Sequence, residues 1–125
     1  MIVTHAEATR ETGFQMVSFG MPPDNSNEYV ILQISDDEDE QDKKLDLRGI
    51  YLEINDQAHA GYGSIFSIHV GEGIVRIDFD PVRLGLPPDY APIEIRSIDT
   101  TRPFADVRQM LVAIGQSASV QIQKL

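Results

Sequence analysis

The chain has 125 residues, with 20 acidic against 10 basic side chains, a net charge of −10 and a pI near 4.5. A surface of that sign repels phosphate backbones and anionic bilayers, so neither nucleic acid nor membrane is expected as a partner. There is no cysteine, which removes disulfides, thiolate zinc sites and cysteine nucleophiles together.

The length fits one domain spanning residues 1–125. Ile, Val, Leu and Phe make up 36 residues, enough for a buried core in spite of the charge. Glu7, Arg10 and Glu11 interrupt the start of the chain where a secretory signal needs an unbroken apolar run, so the expected location is the cytoplasm. Ile and Val total 23 against 8 Leu. Branching at Cβ restricts helical rotamers and packs well on pleated sheets, so a mostly β chain is expected.

In chain order, alternation first marks a strand from Phe14 to Met21, then a turn at Pro22-Pro23-Asp24-Asn25 and a second strand with Val30, Leu32 and Ile34 on one face. Ile50, Leu52 and Ile54 point inward along the next strand, with Tyr51 and Glu53 on its other face. A hairpin follows: Phe66, Ile68 and Val70 inward, Gly71-Glu72-Gly73 at the turn, then Val75, Ile77 and Phe79 inward. The proline-rich stretch from Pro81 to Pro92 reads as a connecting loop, and Ile93 with Ile95 as a short strand.

The period then becomes helical. Phe104, Val107, Leu111 and Ile114 form a stripe with Met110 beside it, Thr100 or Thr101 is placed to cap the first free amides, and Gly115 to end the helix. Val120 and Ile122 suggest a last edge strand. The expected fold class is α+β: a mostly antiparallel β-sheet of about seven strands with one C-terminal α-helix packed on it.

Three features are candidates for function. Asp36, Asp37, Glu38, Asp39, Glu40 and Asp42 place six acids in seven residues. Such a run is either a solvated loop or a docking surface for a cation-rich partner; it lacks the glycine and glutamate register of a calcium loop. Even without residues 36–44 the chain carries −6, so the acidity is global. The second feature is Asn55-Asp56-Gln57-Ala58-His59-Ala60-Gly61-Tyr62-Gly63, a polar segment that reads as a turn built on Asx bonding and glycine, or as a site combining carboxylate, imidazole and phenol. Within it, Asp56 and His59 with Ser64 lack the spacing or elbow of a nucleophilic triad. Third, His5, His59 and His69 are the only imidazoles and never fall three or four apart, so no metal or other cofactor is expected, and His69 reads as a surface residue.

The run Ile50-Tyr51-Leu52-Glu53-Ile54-Asn55-Asp56-Gln57 followed by Ala58-His59-Ala60-Gly61-Tyr62-Gly63-Ser64-Ile65 resembles the central signature of the immunity protein 10 family of bacterial polymorphic toxin systems. The resemblance continues through the hairpin, the loop near Leu84 and Leu86, the strand Ile93-Glu94-Ile95 and the helix from Phe104 to Ile114, covering residues 50–115. It implies a non-enzymatic inhibitor encoded beside a toxin gene, which binds the cognate toxin, often a predicted nuclease, in stoichiometric complex.

A negative chain suits a basic nuclease cleft, and buried anchors must supply affinity. The expected contact residues are therefore the acid run with Tyr51, Asp56, Gln57, His59 and Tyr62. The alternatives are a small ligand-binding domain or enzyme with its site at Asp56, His59 and Tyr62, and an adaptor that self-associates through the last strand. Oligomeric state is open at this point.

Overall fold

A computed structural model describes residues 1–20, 28–35, 49–99 and 102–125. The described residues form ten strands and one α-helix, so the α+β expectation holds. The strands are distributed over two five-stranded sheets rather than one sheet of about seven.

The second sheet is the simpler. Strands β2 (Ala6–Glu11), β3 (Phe14–Phe19), β4 (Val30–Ser35), β5 (Tyr51–Ile54) and β6 (Asp56–Tyr62) pair antiparallel in chain order. Their alternation directs Val17, Phe19, Val30, Leu32, Leu52 and Ile54 to one buried face.

The first sheet has the order β1 (Ile2–Val3), β9 (Ile93–Ser97), β8 (Ile74–Phe79), β7 (Ile65–Val70), β10 (Gln121–Lys124). Its two outer pairings, β1 with β9 and β10 with β7, are parallel. Both sheets give their apolar faces to one buried cluster. Helix α1 (Phe104–Ala118) lies across β2, β3 and β4, touches β10, and adds Val107, Leu111 and Ile114 to that cluster. No helix among the described residues is long and apolar enough to cross a membrane.

The structure corrects the sequence expectations at four places. The segment from Asp56 to Tyr62 is a full strand, not a turn; only Asn55 reverses the chain, with φ of 64°. An edge strand has one side free of a neighbour, so polar residues persist along it without an alternating pattern. Gly61 packs closely there: a Cβ would come within 3.3 Å of the Leu84 side chain.

Phe66 does not face the core. A register shift between Ile65 and Ser67 turns it outward, 67% exposed, and Ile65 takes the buried position. The helix runs past Gly115 to Ala118 and ends at Ser119, whose φ is 56°. Gly115 serves packing instead: a Cβ there would fall inside the side chain of Ile122 on β10.

Finally, the proline-rich connection contains a 3-10 turn, Val82–Leu84, whose Leu84 is buried. The strands β1 and β2 carried no clear alternation, and the expected turn at residues 22–25 and the caps Thr100 and Thr101 lie outside the described residues. At the helix start the cap position is occupied by Pro103, with no side-chain cap bond.

Two consequences are measurable. Phe66→Ser is expected to leave stability within about 0.5 kcal/mol of the parent, while Ile68→Ala costs ~2–5 kcal/mol, as read from urea unfolding midpoints. Gly115→Ala is expected to destabilise by about 1–2 kcal/mol, because crowding of Ile122 outweighs the gain in helix propensity. In an Ile122→Ala background the same change becomes neutral or stabilising.

Candidate functional site

On the face of the β2–β6 sheet directed away from the buried cluster, register places Ser18, Ile31, Glu53 and Ala60 in one row and Met16, Gln33, Tyr51 and Tyr62 in the next. Glu53 is the anomaly in this pattern. Its position on the polar side of β5 is as the alternation requires, yet it is only 7% exposed. Removing a carboxylate from water is costly unless donors replace the lost hydration.

The donors are two phenols. Tyr29 donates its hydroxyl proton to Glu53 Oε2 at 2.6 Å, and Tyr51 donates to Glu53 Oε1. Hydrogen bonds to an ionised acceptor are short and about twice as strong as neutral ones. The ring of Tyr51 also packs on that of Tyr62, its register partner on β6, with centroids 5.3 Å apart and planes tilted by 57°. Edge-to-face and tilted aromatic pairs of this kind contribute ~0.5–1.5 kcal/mol beyond burial.

Asn55 fixes the arrangement from the side. Its left-handed backbone closes the tight turn between β5 and β6, a conformation that asparagine tolerates better than most residues. Its backbone N–H donates to the Tyr29 carbonyl at 3.0 Å, its Oδ1 accepts from the Tyr29 N–H at 2.8 Å, and its Nδ2 donates to the Tyr90 hydroxyl at 3.4 Å. The turn residue thus holds Tyr29, 26 positions earlier, over the carboxylate.

The same contacts shift the phenols. The hydrogen bond to Glu53, then burial and the nearby negative charge, push Tyr29 up to about 12. Burial, followed by its bond to Glu53, moves Tyr51 well above the ordinary phenol range. Both folded values lie above the unfolded one. Their stabilisation is therefore fully present below about pH 10 and lost as pH rises through the folded values.

Of the other sequence candidates, the acid run from Asp36 to Asp42 lies outside the described residues. Asp56 and Gln57 are exposed at the start of the edge strand, where Asp56 Oδ1 accepts the Ala58 N–H at 2.8 Å. His59 shares a face of β6 with Gly61, toward the 3-10 turn, and its Nδ1–H donates to the Leu84 carbonyl at 3.1 Å. Tyr62 is on the opposite face, against Tyr51. A common pocket for Asp56, His59 and Tyr62 does not form. Ser64 is buried with its hydroxyl unpartnered.

A second cluster, unforeseen as a group, lies across the β7–β8 hairpin. His69 Nε2 is 2.8 Å from Asp78 Oδ2 and 3.2 Å from Ser67 Oγ, and the Ser67 hydroxyl donates to the same Asp78 oxygen at 2.9 Å. Arg76 approaches the other Asp78 oxygen at 3.5 Å. Burial pushes the Asp78 carboxyl up, but the bonds from Ser67, His69 and Arg76 outweigh it and leave it below its ordinary value.

Serine, histidine and aspartate meet here through one imidazole nitrogen. A proton relay needs the two nitrogens on separate partners, so this is a structural knot and no nucleophile is activated. Alternation put Ser67 with His69 and Arg76 with Asp78, and the hairpin turn supplied the pairing. Among the described residues no three metal-ligating side chains converge.

A model of the immunity protein 10 family matches residues 2–96, and the chain belongs to that family. The match takes in the N-terminal strands that the resemblance over residues 50–115 did not use, and it stops before α1. Neither a curated protein nor a solved structure matches the chain. Family membership makes it an immunity protein.

The tyrosine pair is open to direct measurement. In an alkaline titration followed by phenolate absorbance, Tyr29→Phe and Tyr51→Phe are each expected to remove a late-ionising component. Glu53→Gln brings Tyr29 to ionise earlier while changing stability at neutral pH by ~1–2 kcal/mol. An unchanged titration in that variant would contradict the hydrogen-bonded arrangement.

Proposed function

We propose that this immunity protein neutralises a cognate bacterial toxin by binding it one to one and covering its working surface, without catalysis. The toxin is encoded beside it, the complex forms in the cytoplasm, and the whole of residues 1–125 acts as one domain. Family membership supports the general role. The observation that carries the finer reading is the net charge of −10, of which −6 remains when residues 36–44 are set aside.

A nuclease cleft is basic because it holds phosphates. An inhibitor of opposite sign is drawn to it through long-range attraction, raising association toward roughly 10⁸ M⁻¹s⁻¹ at low salt. The contact surface comprises the acids from Asp36 to Asp42, the edge strand with Asp56, Gln57 and His59, and the ring pair Tyr51 and Tyr62. Tyrosine suits the anchoring role because it offers a large contact area at low conformational cost.

The experiment is a kinetic binding assay against the neighbouring gene's product. A one-to-one complex is expected whose association rate falls steeply with ionic strength. Neutralising Asp36, Asp37, Glu38, Asp39, Glu40 and Asp42 together is expected to flatten that salt dependence and slow association about tenfold or more. Absence of binding would overturn the proposal, and an unaltered salt slope would remove the acid run from the contact surface.

A further inference from the structure

The geometry points to Glu53, in its setting of Tyr29, Tyr51 and Tyr62, as the receptor for one arginine of the toxin, whose guanidinium enters from the partner and pairs with the buried carboxylate. The inference rests on the binding role proposed above and names the chemistry of its central contact.

It begins from the number of bonds a carboxylate can accept. Each oxygen of Glu53 has room for about two donors, and each is met by a single phenol: Oε2 by Tyr29 and Oε1 by Tyr51. One acceptor position on each oxygen is left over. Two parallel N–H groups of a guanidinium fit such a pair of free positions, whereas an ammonium offers only a point charge.

Charge supports the same occupant. Buried carboxylates are ordinarily matched by a cation, but among the described residues the partners of Glu53 are phenols alone, and no Lys, Arg or His meets it. Two neutral hydroxyls stabilise the anion without cancelling its charge. With the whole chain at −10, no cation among the described residues compensates Glu53, and a toxin built to hold phosphates is rich in cations.

The surroundings favour arginine over lysine for a second reason. The tilted rings of Tyr51 and Tyr62 are half-buried beside the carboxylate, and planar guanidinium groups stack on such rings. The interaction thus joins a desolvated ion pair to an aromatic contact, a combination common in the residues that dominate interfaces. It also differs in kind from the acid run. A rim charge speeds the encounter, whereas a buried pair slows the escape.

The test uses the full chain and a catalytically inactive form of the toxin encoded beside it, followed by association and dissociation rates. Glu53→Gln is expected to weaken binding at least about 30-fold, mostly through faster dissociation, with the association rate within about threefold of the parent. Tyr62→Ser, which removes neither of the phenols that donate to Glu53, is expected to weaken binding by about tenfold.

Replacing the toxin's surface arginines one at a time by alanine is expected to yield one variant that is no further weakened by Glu53→Gln, the mark of a direct pair. Thermal melts show whether each variant is folded. If Glu53→Gln and Tyr62→Ser are folded and bind as the parent does, or if no toxin arginine couples to Glu53, this inference is wrong while the inhibitory role stands. If the parent chain does not bind the toxin, the role itself fails and this inference with it.

Discussion

One buried carboxylate organises the face of the β2–β6 sheet. Glu53 sits where the alternation of β5 demands a polar side chain, but the neighbouring strands shield it from water. It is tolerated because Tyr29 and Tyr51 donate to it from either side. That requirement reaches outward: Tyr29 must be held in place, which Asn55 does through its side chain and its left-handed backbone, and Tyr51 must lean toward Glu53, which the ring of Tyr62 supports from the edge strand. A polar group that is costly to bury is thereby tied, through Tyr29 and Tyr51, to the turn residue Asn55 and to the ring of Tyr62.

In the proposed complex, charge and anchoring divide the work of recognition. The excess of acids acts over the Debye length, roughly 8–10 Å in physiological salt, and governs how often two molecules meet in a useful orientation. It does little to keep them together, because exposed ion pairs contribute only ~0–1 kcal/mol each. Persistence needs desolvated contacts near the centre of the interface. The tyrosines and Glu53 are the groups proposed for that part, and they lie on the sheet that ends in the edge strand bearing Asp56 and Gln57. The Ser67, His69 and Asp78 knot on the other sheet is self-satisfied, its donors and acceptors already joined to one another.

Much of the fold was legible in the sequence because its cause is local. Period-two alternation in Val30–Ile34, Ile50–Ile54 and Val75–Phe79 follows directly from which faces are buried, and the stripe Val107, Leu111 and Ile114 is the helical counterpart. Illegible features have distant causes. Phe66 leaves the core because a bulge forms against β8, and Gly115 is small because Ile122 lies over it. β6 hides its strand character since an edge needs no apolar alternation.

The candidate site divides in the same way. Tyr51 and Tyr62 were visible as phenols near one sheet, but Tyr29 meets Glu53 across 24 residues of sequence, through the pairing of β4 with β5, which no spacing rule encodes. His59 and Tyr62, close in sequence, are separated because successive strand residues point to opposite faces.

The most direct test of this account is hydrogen exchange on the complex with the toxin compared with the free chain. The account places the new protection at Tyr29, along Tyr51–Ile54 and on the edge strand Asp56–Tyr62, with the hairpin around His69 and Asp78 exchanging as before. Protection confined to that hairpin, with β5 and β6 unaltered, would contradict it.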